Sequence, residues 1–378
     1  MKRWSGQSNS FVATHLSSLL FLKNPNRTPE GQNRPMTRFT HELCSAVAKK
    51  ILAFLALTCI CSFSVRCFAQ MNSPKEDQQQ QKIIIDTDIG NDIDDAFAVG
   101  LALQSPEFKI LGISSATGDT TLRARLLSRL LKETGRDDIP VAVGIARLGV
   151  RAGEGVTQAG YAEGGPSDIA YPGAVDFLLE QIRKNPGEVT LIAIGPLTNI
   201  GAAIDKDATT FRKLKRVVLM GGSVHRGYDH GLFGVNPNPS AEYNIAADIP
   251  AAQKLFNSGV PLYVMPLDST IIKLEEIRRA QLVTTGRPVT DAITLMYCQW
   301  APGCNGTPTL FDPVAVAYAI RPDLCPTQPM KLRVDDQGYT RVESGEPNAQ
   351  VCLHSDAEAF LDFLMSRLVG TPVGKPGP

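Results

Sequence analysis

Between residues 86 and 95 the chain places five aspartates, Asp86, Asp88, Asp92, Asp94 and Asp95, in ten positions. Carboxylates so close repel one another, and a shared cation is the natural remedy. Every candidate donor is a hard oxygen, with no His or Cys nearby, so Ca²⁺ or Mg²⁺ suits the stretch and Zn²⁺ does not. Such a cation raises the acidity of a water, and a neighbouring carboxylate can take the proton, which is hydrolytic chemistry. Two other uses of clustered aspartates fit less well. An EF-hand loop counted from Asp86 needs Gly sixth and Glu twelfth, where the chain has Asn91 and Phe97. A phosphatase with an aspartyl nucleophile also begins with an apolar strand and D-x-D, but expects Thr or Val where Gly90 stands. Plain helix capping needs one acceptor per helix end, not five.

With Ile83-Ile84-Ile85 before it and Ala96 after it, the stretch resembles the N-terminal signature of the inosine-uridine type nucleoside hydrolases, an apolar strand followed by D-x-D-x-G-x-D-D-A. Here Asp86-Thr87-Asp88-Ile89-Gly90 is followed by Asn91-Asp92-Ile93 before Asp94-Asp95-Ala96, two residues more than the pattern, which leaves Asp92 as an extra carboxylate. Further motifs follow in the family's order. Thr117-Gly118-Asp119 carries Asp where the family usually has Asn; Pro196-Leu197-Thr198-Asn199 matches fully, as does Met220-Gly221-Gly222. The segment Asn236-Pro237-Asn238-Pro239-Ser240-Ala241-Glu242-Tyr243-Asn244 resembles N-x-x-P-x-A-E-[FY]-N, and amides with a carboxylate suit sugar hydroxyls, since amides donate and accept while a carboxylate accepts firmly. Phe311-Asp312-Pro313 ends the series, with Phe where many members have His.

The resemblance implies calcium-assisted hydrolysis of the N-glycosidic bond of a ribonucleoside, giving ribose and free base. It implies a Ca²⁺ held by Asp88, Asp95, the Thr198 carbonyl and Asp312, with Asp88 also the general base. It assigns Asp94, Asp119, Met220, Asn236, Glu242 and Asn244 to the sugar. Phe311 cannot donate a proton but can stack on a base, so a preference for purine ribosides is expected, with Tyr161, Tyr228, His225 or His230, and Trp300 near the base. Two alternatives stay open: a secreted nucleoside- or sugar-binding protein without catalysis, and a D-x-D phosphatase.

The elements that must position these residues alternate. Short, apolar, β-branched runs predict strands over residues 83–86, 110–117, 141–143, 189–194, 217–220 and 262–265. Between them, apolar positions at helical spacing predict helices over 96–103, 122–133, 174–183, 200–204 and 251–256, with later ones over 292–300, 314–320 and 357–368. The alternation predicts an α/β fold: a single domain, residues 82–370, with a mostly parallel, Rossmann-like central sheet flanked by helices and its active site at the carboxyl ends of the strands.

The chain has 378 residues, 43% of them hydrophobic, with formal net charge zero and pI near 6.9, so it lacks the basic footprint of a nucleic-acid partner. The expected partners are a small ribonucleoside and, as an open expectation, a second or further copies in a homodimer or homotetramer. Residues 1–35 read as a disordered or non-native extension and 36–69 as a signal peptide, with Lys49-Lys50, an apolar run over 51–65 and small residues at Cys67 and Ala69. That run is shorter than the ~20 residues of a membrane span, so export with no stable membrane insertion is expected. Residues 70–81 read as a polar linker and 371–378 as a disordered tail. Beyond the leader remain Cys298, Cys304, Cys325 and Cys352, and the Pro/Gly-containing loop suggests Cys298 with Cys304, although three complete pairings and free buried thiols stay open. Of the histidines there, His354 follows a late strand and reads as structural, whereas His225 and His230 lie in a Gly-rich loop, 223–235, that could close over a substrate.

Overall fold

The computed structural model describes residues 80–146, 155–166, 169–229 and 234–370, which fall in one compact unit. The expected extension, signal peptide, most of the linker and the tail lie outside the described residues, as does His230. Among the described residues no helix is long and apolar enough to cross a membrane.

The isoleucine triplet becomes strand β1 (Gln81–Thr87), and its alternation places Ile83 and Ile85 in the core on one face and Ile84 in the core on the other. A strand buried on both faces cannot alternate with polar residues, which is why this run reads as continuously apolar. The same holds for β4 (Thr190–Ile194) and β5 (Arg216–Met220), while β2 (Phe108–Ser115), β3 (Val141–Ala142) and β6 (Leu262–Met265) complete the six expected strands. Three further strands, β7 (Thr327–Val334), β8 (Thr340–Glu343) and β9 (Ala349–Cys352), extend the sheet to nine in the order β3-β2-β1-β4-β5-β6-β9-β7-β8. All pairings are parallel except β7 with β9 and β7 with β8. The chain runs outward from β1 through β2 to β3 and then returns to place β4 on the other side of β1. Such a reversal opens a crevice at the strands' carboxyl ends, the usual ligand site of a doubly wound sheet.

Helices cover both faces: α1 (Asp94–Leu103), α2 (Thr120–Glu133), α3 (Ala159–Glu163), α4 (Ala174–Lys184), α5 (Thr198–Phe211), α6 (Tyr243–Ala246), α7 (Ile249–Phe256), α8 (Leu267–Thr270), α9 (Glu276–Thr284), α10 (Pro288–Trp300), α11 (Phe311–Ile320) and α12 (Ala357–Val369). Every residue of α1 is buried, which explains its lack of a polar face. It packs against α10, α11 and α12, so its amino end is fixed from several sides. Cys298 pairs with Cys304, as the loop suggested, and Cys325 with Cys352.

Candidate active site

The β1–α1 turn leaves the sheet at its carboxyl edge, and Asp94 and Asp95 occupy the first turn of α1. Asp312 occupies the first turn of α11, which packs on α1, and its backbone N–H donates to Asp94 Oδ2 at 3.2 Å. Two helix amino ends therefore meet. One carboxylate oxygen from each of Asp94, Asp95 and Asp312 lies within 4.8 Å of the others, and all three residues are buried. A pair of charges at 4.8 Å repels by roughly 3 kcal/mol at an effective dielectric of about 20. Helix dipoles return only about 0.3 to 1 kcal/mol per carboxylate, so the repulsion dominates and three ionised carboxylates need a cation. The donor set is all oxygen, which fits a hard divalent ion.

Burial, reinforced by neighbouring carboxylates, accordingly pushes Asp94, Asp95 and Asp312 well above the usual carboxylate range. Burial also raises Asp88 to about 6, opposed by the Arg123 guanidinium, and Asp86 to about 7, opposed by hydrogen bonds from Ser114 and Asn199. Glu242 is pushed up to about 6 by burial against three backbone N–H donors.

These shifts predict an unusual stability profile. Without a cation the folded carboxyls hold protons that the unfolded chain, with an Asp value of 3.8, has already released. The stabilisation is fully present below about pH 4 and is lost as pH rises through the folded values of about 6 and 7 for Asp88 and Asp86. Chelated protein is thus expected to lose melting temperature between pH 4 and 7, and saturating Ca²⁺ to reduce the loss by replacing the protons. A melting temperature that climbs over this window in chelator would contradict the buried cluster.

Asp88 lies against the β4–α5 turn. A Cβ at Gly195 would meet Asp88 N at 2.8 Å and its Oδ1 at 3.0 Å, so only glycine lets the two turns approach. Thr198 opens α5, and its hydroxyl donates to Asp248 Oδ2 at 2.7 Å. The sequence grouped Asp88, Asp95, Thr198 and Asp312 as cation ligands and gave Asp94 to the sugar. In the structure the carboxylate that converges with those of Asp95 and Asp312 is that of Asp94.

The expected sugar residues gather at the end of β5. Asn244 Nδ2 donates to the Met220 carbonyl at 3.1 Å, and Glu242 accepts from the backbone N–H groups of Gly222, Asn244 and Ile245 at 2.9, 2.9 and 3.2 Å. Asn236 is buried, accepts from Asn238 N at 3.0 Å and pairs by its backbone with Gly227. Asp119 stands across the sheet as the N-cap of α2, accepting from Leu122 N at 3.0 Å, so its capping role accounts for one carboxylate oxygen. Half-buried Phe311 meets Tyr228 edge-on, with ring centroids 6.1 Å apart. The Tyr228 hydroxyl lies 3.4 Å from Glu242 Oε1, and this places an aromatic wall next to the polar cluster.

The residues expected on the base side have partners of their own. Tyr161 is buried against α2, where its hydroxyl donates to Glu133 and Arg129 lies 4.2 Å over its ring, so it is closed to a ligand. Trp300 packs on Tyr297 at the end of α10. The Gly-rich loop that could close over a substrate is hydrogen-bonded over its described part: Val224 N and His225 N donate to the two Asp268 oxygens at 2.8 and 2.7 Å, and Gly227 pairs with Asn236.

Three further residues buttress the site; of these the sequence showed only Asn199, as the last residue of the Pro-Leu-Thr-Asn motif and without a role. Asn199 joins β1 and β2 to the β3 exit, donating to Asp86 Oδ1 at 2.9 Å and Ser115 O at 3.0 Å and accepting from Ile145 N at 2.9 Å. Arg123 and Gln158 are buried beside the aspartate turn. For Arg123 a signal existed: with Leu126, Leu127 and Leu130 it falls at i, i+3, i+4 and i+7, on the buried stripe of α2.

The family model described as inosine-uridine preferring nucleoside hydrolase matches residues 83–362. A pyrimidine-specific ribonucleoside hydrolase RihA of Citrobacter koseri is 33% identical, covering 76% of this chain and 97% of the relative. Uridine nucleosidase 1 of Arabidopsis thaliana is also 33% identical, covering 77% and 94%. Among solved structures, a plant nucleoside hydrolase superposes with a TM-score of 0.67 at 26% identity, covering 77% of this chain and 99% of that one. A purine-preferring ribonucleoside hydrolase from Gardnerella vaginalis gives 0.64 at 27% identity, covering 77% and 98%.

Proposed function

The chain belongs to the inosine-uridine preferring nucleoside hydrolase family and is an enzyme of N-glycosidic bond hydrolysis, and from that premise we propose a calcium-assisted ribonucleoside hydrolase with a preference for purine ribosides. The convergence of Asp94, Asp95 and Asp312 carries the cation part of this reading. Asp88, at the edge of that cluster, and the Thr198 carbonyl complete the proposed binding set. When bound, Ca²⁺ supplies a water of raised acidity and a grip on the ribose hydroxyls.

Asp88 would take a proton from the attacking water as its oxygen bonds to the anomeric carbon and the C–N bond breaks. The sugar passes through an oxocarbenium-like state. Glu242, Asn236 and Asn244, fixed by backbone donors and by one another's loops, would hold the hydroxyls, and the buried carboxylates favour the positive charge that develops. No side chain at position 311 can protonate the leaving base, so its proton would come from solvent while Phe311 and Tyr228 face the ring. The extra carboxylate of Asp92 accepts from its neighbour Ile93 N at 2.7 Å and is given no step. The D-x-D phosphatase alternative lapses with the family.

The Phe311–Tyr228 wall supports purines, because a larger base offers more area to an aromatic partner. A pyrimidine reading has its own support in the relatives described as pyrimidine-specific and as a uridine nucleosidase. Values of kcat/KM for inosine, guanosine, adenosine, uridine and cytidine separate the two. Purines are expected to lead in the wild type, and Phe311→Ala to lose up to about a hundredfold on them, the worth of stacking one base. A wild type that prefers uridine would overturn the purine proposal and leave the hydrolase itself standing.

A further inference from the structure

The turn between Asp88 and Asp94 is two residues longer than the family pattern, and its middle adopts a conformation that only glycine tolerates, with Gly90 at φ +112°. Such a turn has no helix or sheet ladder of its own to fix it, yet its backbone oxygens are satisfied one after another. Arg123 Nη1 donates to the Asp88 carbonyl and, at 2.7 Å, to that of Ile89. Gln158 N donates to Gly90 O at 3.0 Å, Thr157 Oγ1 to Asn91 O at 2.6 Å, and Gln158 Nε2 to Asp92 O at 2.9 Å. Five consecutive carbonyls are thus held by three residues that no step of the reaction uses.

Arg123 reaches further. Its Nε donates to Thr117 O at 3.0 Å, and Thr117 is a β-branched residue held at φ 48°, a strained backbone. Its Nη2 lies 3.5 Å from Gly155 O. One guanidinium therefore ties the β1–α1 turn, the β2–α2 turn and the segment that carries Gln158. Arg123 is 2% exposed and Gln158 fully buried. A buried arginine this near five aspartates would ordinarily pair with a carboxylate. Here, among the described residues, it donates to four main-chain carbonyls. The carboxylates are left for another cation, and the positive charge behind the turn lessens the cost of collecting them.

We infer that Arg123 and Gln158, with Thr157, are positioning residues that clamp the backbone of residues 88–92 so that Asp88, Asp94 and Asp95 present their carboxylates to a divalent cation. The inference rests on the calcium reading above. It identifies what makes the longer turn work, and assigns no contact with substrate to either residue.

The test compares wild type with Arg123→Met, Arg123→Ala, Arg123→Lys and Gln158→Leu. Three quantities are measured on each full-length protein: the Kd for Ca²⁺ by calorimetry, kcat and KM on inosine and uridine at saturating Ca²⁺, and the melting temperature. Partners that orient metal ligands typically govern about 10- to 100-fold in affinity. Arg123→Met and Gln158→Leu are therefore expected to weaken Ca²⁺ by about that factor and to lower kcat at least tenfold. KM should stay within threefold, since the sugar residues sit on other loops. Lysine, a single point donor, cannot reach carbonyls on three segments and should behave like methionine. Millimolar guanidinium should restore part of the Ca²⁺ affinity and kcat of Arg123→Ala and none of Gln158→Leu. Wild-type Ca²⁺ affinity and kcat in Arg123→Met or Arg123→Lys, or losses that only follow melting temperature with no guanidinium rescue, would overturn the clamp. If the Arg123 variants do not fold, Gln158→Leu and Thr157→Val decide the matter by the same Kd and kcat criteria. A wild type that neither binds Ca²⁺ nor frees a base would sink the calcium hydrolase reading instead, so the two failures are distinguishable.

Discussion

Asp88→Asn is expected to reduce kcat by about 10²- to 10⁴-fold, the usual worth of a positioned general base, while the protein stays folded. The amide keeps the shape of the side chain that packs against Gly195. It cannot accept a proton from water. Because Asp88 stands outside the three carboxylates that converge, those of Asp94, Asp95 and Asp312, cation affinity should fall less than kcat does. Base release in single turnovers at saturating Ca²⁺ gives the number directly. A variant within threefold of wild type would remove Asp88 from the proton-accepting role, whatever its place near the cation.

Asp312→Ala is expected to abolish activity and to weaken Ca²⁺ binding severely, because it removes one of three converging charges supplied by a second helix. The same change should raise the melting temperature of chelated protein at pH 8, where the remaining carboxylates repel less; a merely damaged fold would do the opposite. Asp94→Ala sharpens the reading. With its oxygen in the Asp95–Asp312 group, Asp94 is expected to cost Ca²⁺ affinity, whereas a residue that only held the sugar would raise KM and leave the Ca²⁺ Kd unchanged. Wild-type Ca²⁺ affinity in Asp312→Ala would mean that the cation, if any, sits elsewhere.

Much of this chain was legible before folding because the signals were local. Six parallel strands announce themselves as short, largely β-branched apolar runs, since a strand covered on both faces sends apolar residues to each, and α1 follows its aspartates as an all-apolar helix. The antiparallel edge was not legible: β7 is largely half-buried or exposed and contains Pro329, so it lacks both the continuous apolar run and a clear alternation. Helix α9 was missed for a similar reason, with Leu282 its one buried residue.

The site divides along the same line. The sequence by itself determined that a carboxylate cluster able to hold a hard cation lies where β1 gives way to α1, and which loops carry amides and a carboxylate of the kind that suits a sugar. Tertiary structure alone decided which carboxylates converge, because Asp94 and Asp312 are 218 residues apart and meet only where α11 packs on α1. It also turned Tyr161 inward onto Glu133 and set Arg123 and Gln158 behind the aspartate turn. Residue type and spacing fix the direction of a side chain within its own element. What that side chain meets depends on the element packed against it, and that is settled by burial across the whole chain.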